Sequence, residues 1–318
     1  MEESRKRPSA AGISDAKRAK PSDGTDRVYP RTVSVEPHVI TDRSYCFVMT
    51  ATSVYVGSKD AVTVYDTMTR RKKESIPASG YINDISLSRD GKSLFVAYYD
   101  GTASIVNIDT RKEVILDGHE SSVRCIIQGE GTDVLTCSDD ETIRRWNSLT
   151  GECLKVYRGH TDWVSSVLYD ETTKRIFSAS DDATIIVWNG ETGEKIGVME
   201  GHGHWVRSLT RVNSTTIASG SVDGTIKLWG MATLACIKTM SIGKGVHSVA
   251  VTPDGQYLIS GTDDSKVKVR SVATGQCLHN LACHNGRVCK VAVSPDGRFI
   301  ASSGYDNKVY LHSVSPPF

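Results

Sequence analysis

Three sets of side chains in this 318-residue chain could do nucleophilic chemistry. Each set holds a histidine, a hydroxyl residue, an aspartate and a tryptophan. They are His119, Thr136, Asp140 and Trp146; His160, Ser178, Asp182 and Trp188; and His202, Ser219, Asp223 and Trp229. A hydroxyl next to an imidazole that a carboxylate orients is the constellation of a hydrolase. Recurrence decides against that reading. The histidines lie 41 and 42 residues apart, and an enzyme needs one such site rather than three at a fixed period. The sets are therefore expected to be architecture, and no catalytic residue is assigned. No phosphate-cradling glycine loop, nucleophile elbow or metal-ligand cluster stands out elsewhere, so neither a cofactor nor a metal is expected.

The period extends beyond these sets. A short apolar strand, a polar turn carrying an aspartate and a second apolar strand recur around Asp60, Asp100, Asp140, Asp182, Asp223, Asp264 and Asp306. Successive steps are 40, 40, 42, 41, 41 and 42 residues. That spacing predicts an all-β, seven-bladed β-propeller with one four-stranded blade per repeat. In the fourth repeat the strands are expected at 164–168, 175–179, 184–188 and 195–199. Asp90-Gly91, Pro253-Asp254-Gly255 and Pro295-Asp296-Gly297 punctuate the first hairpins, and Thr150-Gly151, Thr192-Gly193 and Thr274-Gly275 the last ones. The seventh repeat has only three strands of its own, at 288–293, 299–303 and 309–313. Residues 31–36 have a strand pattern and no repeat, so they are expected to supply the outer strand of the last blade and close the ring, because a bare strand edge is rarely left open.

With Gly118-His119, Gly159-His160 and Gly201-His202 opening the three full sets, the chain resembles the WD40-repeat family over about 290 residues. The resemblance implies that each set is a buried hydrogen-bonded chain of indole, hydroxyl, imidazole and carboxylate, each group supplying what the next lacks. The family's closing Trp-Asp is here Trp146-Asn147, Trp188-Asn189 and Trp229-Gly230, and repeats one, two and six lack the histidine. The resemblance also implies where partners bind. Residues just before the innermost strand and just before the turn aspartate face the wider, top surface. By position these include Tyr81, Ser122, Trp163, Trp205 and Arg287, and Tyr99, Asp139, Asp181, Asp263 and Tyr305. Trp163 and Trp205 are expected to anchor a partner, with Glu120, Asp139 and Asp181 beside them favouring a basic segment.

Subfamily marks narrow the reading. The Trp-Asp-x-Arg extension of ubiquitin-ligase receptors is missing, since Leu149, Glu191 and Ala232 stand where the arginine would be. An F-box or LisH domain would not fit in 27 residues, and no coiled-coil helix of a G-protein β subunit is expected. The positions where arginine-clamping chromatin readers place phenylalanines hold Asn83, Arg124, Ser165, Arg207, His247 and Cys289. The expected function is a non-enzymatic scaffold binding peptides or domains on the top face in a nuclear complex. The alternatives are a ligase substrate receptor or a phosphopeptide or histone-tail reader.

The bulk numbers agree with this. No apolar run approaches the roughly 18 residues of a membrane span, and no signal-peptide pattern opens the chain. The eight cysteines are scattered without a C-x-x-C pair and are expected to be reduced. Residues 1–27 are rich in Pro, Ser, Ala, Gly and charge and are expected to be a disordered basic tail ahead of a propeller at 28–318. Arg5, Lys6 and Arg7, then Lys17, Arg18 and Lys20, resemble a bipartite nuclear import signal that importin would read. The expected location is the nucleus, with the cytoplasm second. Outside the tail there are 31 basic and 32 acidic residues, so the propeller is not expected to bind nucleic acid. A fluorescent fusion of residues 1–27 should enter nuclei, and Lys17, Arg18 and Lys20 changed together to Ala should abolish entry; import of that variant would remove the signal.

Overall fold

The computed structural model describes residues 32–33, 38–40 and 46–318; the basic tail and the residues expected to form an import signal lie outside them. Seven antiparallel sheets follow one another along the chain, at 46–77, 82–116, 123–158, 164–199, 206–241, 246–282 and 288–315. Each of the first six contains four strands in sequence order, and no helix occurs among the described residues. The fold is a seven-bladed propeller. The strands expected for blade four appear at Val164–Asp170, Arg175–Ser180, Ile185–Asn189 and Lys195–Met199.

The turns explain why these strands pair. Gly91, Gly255 and Gly297 have φ of 70°, 71° and 69°, and Gly151, Gly193 and Gly275 lie at 76°, 83° and 80°. These are left-handed conformations that glycine adopts without a Cβ penalty. A Cβ on Gly151 would sit 2.5 Å from the carbonyl of Ile115 in the previous blade, so that turn also depends on close approach.

Burial is arranged at the seams. Blade two meets blade three through Phe95, Ile105, Val123, Ile126 and Trp146, and blade three meets blade four through Leu135, Tyr157, Val167, Ile176 and Trp188. The remaining seams are filled in the same way. Each blade is thus a thin sheet whose two faces are covered by its neighbours, which is why its middle strands are apolar along their whole length. Outer strands also lock onto the next blade. The Lys155 ammonium donates to the carbonyls of Glu191 and Thr192 at 2.9 and 2.7 Å, and Lys238 does the same to Val272 and Ala273 at 3.2 and 2.6 Å. Each caps the Thr-Gly turn of the following blade.

Blade seven contains Val288–Val293, Phe299–Gly304 and Lys308–Ser315. Its outer strand comes from the N-terminal side, as expected, but in two pieces. Thr32–Val33 pairs with Ser315 and Val314, and His38–Ile40 pairs with Leu311, Tyr310 and Val309. The latch therefore extends past the expected 31–36: Thr32–Val33 is taken up by the two residues by which the third strand overruns the expected Ser313, and the 309–311 stretch of that strand pairs with His38–Ile40. Val33 is buried in the seam between blades six and seven and Ile40 in the seam between seven and one. A chain starting at residue 28 keeps both pieces and should melt within about 2 °C of the parent, a difference of less than about 1 kcal/mol. Removing residues through 40 strips an edge and two seam residues and should lower Tm strongly or cause aggregation. Equal melting of the two truncations would refute the latch.

Candidate functional site at the channel mouth

The three predicted sets form as hydrogen-bonded chains. In blade three, Trp146 Nε1 donates to Thr136 Oγ1 at 2.7 Å, His119 Nε2 lies 2.7 Å from the same oxygen, and His119 Nδ1 lies 2.7 Å from Asp140. Blade four repeats this with Trp188, Ser178, His160 and Asp182 at 2.9, 2.8 and 2.6 Å, and blade five with Trp229, Ser219, His202 and Asp223 at 2.8, 2.7 and 2.8 Å. The hydroxyls are wholly buried and engaged with the indole, so none is presented to a substrate. Blade seven has a fourth chain that the Gly-His pattern did not reveal. His284 joins Asp306 and Ser302, both at 2.9 Å, with Tyr310 packed on its ring edge at 4.5 Å. Cys283 stands there in place of glycine, and the spacing to Asp306 was the signal available.

These chains fix the turn that carries the rim. Asp182 is pushed up by burial, but hydrogen bonds from His160 and Thr184 overcome this and hold it at about 2. Asp223 is likewise held at about 2 by Gly203 N–H, Thr225 and His202 against its burial. The residue before each turn aspartate then lies at the mouth of the channel. Its backbone N–H bonds the carbonyl of the residue before the inner strand, in six blades. The pairs are Tyr99 to Tyr81, Asp139 to Ser122, Asp181 to Trp163, Val222 to Trp205, Asp263 to Gly245 and Tyr305 to Arg287, at 2.9–3.0 Å. The two positional classes expected from the sequence are therefore direct neighbours.

Their exposure is uneven. Tyr81, Tyr99, Trp163, Trp205 and Tyr305 are exposed, at 61, 63, 42, 39 and 57%. Ser122 and Asp181 are buried, which corrects the expectation that both face the rim openly. Ser122 Oγ accepts from Asn83 of the preceding blade at 2.6 Å. Asp181 accepts from Ser165 at 3.0 Å and faces Arg207 at 3.0 Å.

Two arginines at the expected clamp positions, Arg124 and Arg207, and the rim residue Arg287 organise the mouth. Arg124 grips Asp139 through Nε and Nη2, both at 2.6 Å, and lies 5.0 Å from the Trp163 ring. Arg207 pairs with Asp181 and lies 4.6 Å from the Trp205 ring. Arg287 donates to Asp263 at 2.7 Å and lies 5.3 Å from the Tyr305 ring. His247 contacts the same Asp263 oxygen at 2.8 Å. Each guanidinium is thus held between an aromatic face and a carboxylate. The pairs are unequal. Burial lowers Arg124, but Asp139 more than offsets it, so its pKa rises. Burial dominates at the second pair, lowering Arg207 and raising Asp181, and Arg207 Nε is buried with no hydrogen-bond partner among the described residues.

These groups surround a channel of about 1350 Å³. At one point its wall is an ion pair. The inner strand of blade one is short, Cys46–Met49, and across it Lys290 of blade seven reaches Asp84 of blade two at 2.5 Å. Glu120 stays exposed beside Trp163's blade. Among the described residues no group of three or more His, Cys, Asp or Glu could hold a metal ion.

A family model described as the IFT122 first beta-propeller matches residues 121–316. The chain belongs to this family of WD-repeat β-propellers. It is 31% identical to the guanine nucleotide-binding protein subunit beta of Oryza sativa subsp. japonica over 68% of this chain and 51% of that one. It is 25% identical to a guanine nucleotide-binding protein subunit beta-like protein of Encephalitozoon cuniculi over 63% of this chain and 55% of the relative. It is 36% identical to an F-box protein of Saccharomyces cerevisiae over 49% of this chain and 25% of the relative. The chain spans about half or less of the length of these relatives. WD-repeat propellers of this kind are generally non-enzymatic protein-interaction modules.

The buried chains predict an acid-labile ring. His119, His202 and His284 are lowered by burial, which outweighs their aspartate partners. A histidine that folds with a lowered pKa binds more protons unfolded, so its stabilisation is full above about 6.5 and is lost as pH falls below that. Asp182 and Asp223, depressed to about 2, contribute fully above their ordinary value and lose it as pH falls toward 2. Tm should be lower at pH 5 than at pH 7.5 and lower again at pH 3; a flat profile would contradict the network.

Proposed function

We propose that this propeller is a non-enzymatic scaffold that holds a peptide segment or domain of a partner protein over the channel mouth. In this reading it works in a nuclear assembly, with the basic tail read by importin. The observation that supports the binding face is the set of three guanidiniums, Arg124, Arg207 and Arg287, each fixed between an aromatic ring and a carboxylate. Such groups are pre-ordered, so a partner loses little additional side-chain entropy on binding them. Half-exposed Trp163 and Trp205 on neighbouring blades supply apolar anchors of the type that dominates interfaces.

The expected preference for a basic segment changes its footing. Asp139, Asp181 and Asp263 already hold arginines, so attraction of a basic group rests on exposed Glu120. A second reading follows from the same arginines. Arg124 and Arg207 are committed to Asp139 and Asp181, but Arg287 stays two-fifths exposed beside Asp263 and suits a phosphate-bearing or acidic segment, as a ligase substrate receptor would take; the likeness to an F-box protein supports it.

Crosslinking from cells, with and without phosphatase treatment, would supply partners and separate the two readings. Trp163→Ala should then weaken binding by at least about 2 kcal/mol, roughly 30-fold, and Tyr305→Ala by much less. Trp163→Ala binding like the parent while Tyr305→Ala fails would move the site across the ring. Partner capture abolished by phosphatase would replace the first reading with the second.

A further inference from the structure

Cys125 and Cys137 are directly opposed across the first two strands of blade three. Their Cα positions are partners in the antiparallel register, so both side chains point to the same face of the sheet. Opposed Cα atoms in such a ladder are about 4.5 or 5.5 Å apart, and both distances fall in the range a disulfide spans. Both residues belong to the same apolar seam against blade four. Their accessibility differs: Cys137 is fully buried, whereas Cys125 is half-buried and lines the channel.

We propose that Cys125 and Cys137 form a peroxide-responsive dithiol inside the channel, closing to an intrachain disulfide. Cys125 reacts first, because the channel reaches it and not its partner. Its thiolate attacks one oxygen of hydrogen peroxide, the O–O bond breaks, and sulfenic acid forms with release of hydroxide, which takes up the thiol proton as water. The Cys137 sulfur then attacks the sulfenic sulfur, the S–O bond breaks, and the hydroxyl leaves as water with the Cys137 proton. Two thiols lose two electrons to one peroxide, giving one disulfide and two waters.

The pair is placed where closure would be felt at the mouth. Arg124 immediately precedes Cys125, and the register between these strands shifts between Val123 and Cys125. Arg124 therefore occupies the bulge, and the bulge aims it at Asp139 and Trp163. Drawing Cys125 toward Cys137 pulls on the residue next to that bulge. Trp163 is thus a reporter of the bond.

The test uses the full chain, treated with hydrogen peroxide at near-stoichiometric amounts and mapped by mass spectrometry after alkylation of free thiols. The expected result is a peptide pair joined through Cys125 and Cys137, loss of two alkylatable thiols, a change in Trp fluorescence, and reversal of all three by dithiothreitol. In Cys137→Ser the sulfenic acid of Cys125 should persist and be trapped by dimedone. Cys236 and Cys277, exposed on outer strands, serve as internal controls for non-selective oxidation. The proposal fails if Cys125 remains free while Cys236 and Cys277 oxidise, if Cys125 links to Cys46 or Cys289, or if it passes to sulfinic acid with Cys137 still free. None of these readouts needs a partner, so the chemistry and the proposed binding face stand or fall separately.

Discussion

Closure of the ring is the constraint on which the rest of this structure depends. A propeller blade has no core of its own; its apolar faces are buried only because two neighbours cover them. Seven seams therefore exist only if the last blade is complete on both sides, and blade seven brings only three strands from its own repeat. Thr32–Val33 and His38–Ile40 complete it, and their apolar residues enter the two different seams that flank it. The latch is short, but its position lets it couple blade six to seven and seven to one. Inner strands are stitched in parallel with this. Ser166, Ser208 and Ser248 each accept a backbone N–H from the next blade's inner strand, at 3.1, 3.1 and 3.0 Å. Blade seven has Lys290 at the corresponding place, which cannot accept. Its ammonium instead crosses the short inner strand of blade one to Asp84, which also accepts Ile126 N–H at 3.3 Å. A charge pair thus spans the gap where the regular stitch is missing. Burial penalises the lysine, yet Asp84 more than offsets it, and its pKa is raised.

Much of this was legible in the sequence, for a physical reason. Period is a one-dimensional property, and the seven aspartates, the turn glycines and the Gly-His marks are local requirements of each blade. They placed the strands within a few residues. The latch was legible by subtraction, from a blade short of one strand. Its split into two pieces was not, because pairing length depends on how far the facing strand extends, and Lys308–Ser315 overruns the average strand of the repeat. The fourth buried chain, around His284, was half legible: the seventh repeat keeps its histidine, but Cys283 stands where the glycine would be and His312 where the tryptophan would be, and the hydrogen bonds from His284 to Ser302 and Asp306 need neither.

The rim was legible only as a list of positions. Trp163, Trp205 and the tyrosines are exposed as expected, yet the carboxylates that suggested an acidic surface are occupied. Asp139 and Asp181 are separated from Arg124 and Arg207 by 15 and 26 residues, and nothing in spacing alone says that an inner-strand arginine will turn to a particular turn carboxylate. Along the chain the clamp positions and the rim positions are separate sets. Ring geometry brings them together, and once paired their opposite charges offset one another locally at the mouth. The bidentate Arg124–Asp139 pair and the less complete Arg207–Asp181 pair also differ in kind. The first is a finished structural unit. The second retains a buried guanidinium nitrogen without a partner among the described residues, which is costly.

The buried chains and the binding face are one device. Asp140, Asp182, Asp264 and Asp306 each directly follow a rim residue, namely Asp139, Asp181, Asp263 and Tyr305. In blades three, four and seven the turn aspartate is locked by a buried histidine. Blade six lacks that histidine and locks its turn otherwise: Thr262 donates to Asp264 at 2.5 Å and Lys268 pairs with it at 3.1 Å. In blade two Asp100 accepts from the N–H and hydroxyl of Thr102 at 2.9 and 2.7 Å, and Tyr98 and Ser104 bond each other at 3.0 Å in the blade interior. The chemistry of the lock varies while its output, a fixed residue at the mouth, does not. Degenerate repeats here are substitutions of one lock for another. Blade six shows the cost, for Arg270 stands where the tryptophan would be, and Ser260 Oγ loses the indole donor that the equivalent hydroxyls receive. The Thr262 and Lys268 contacts still hold the turn beside Asp263 and Arg287, while Ser260 Oγ in the blade interior has no hydrogen-bond partner among the described residues.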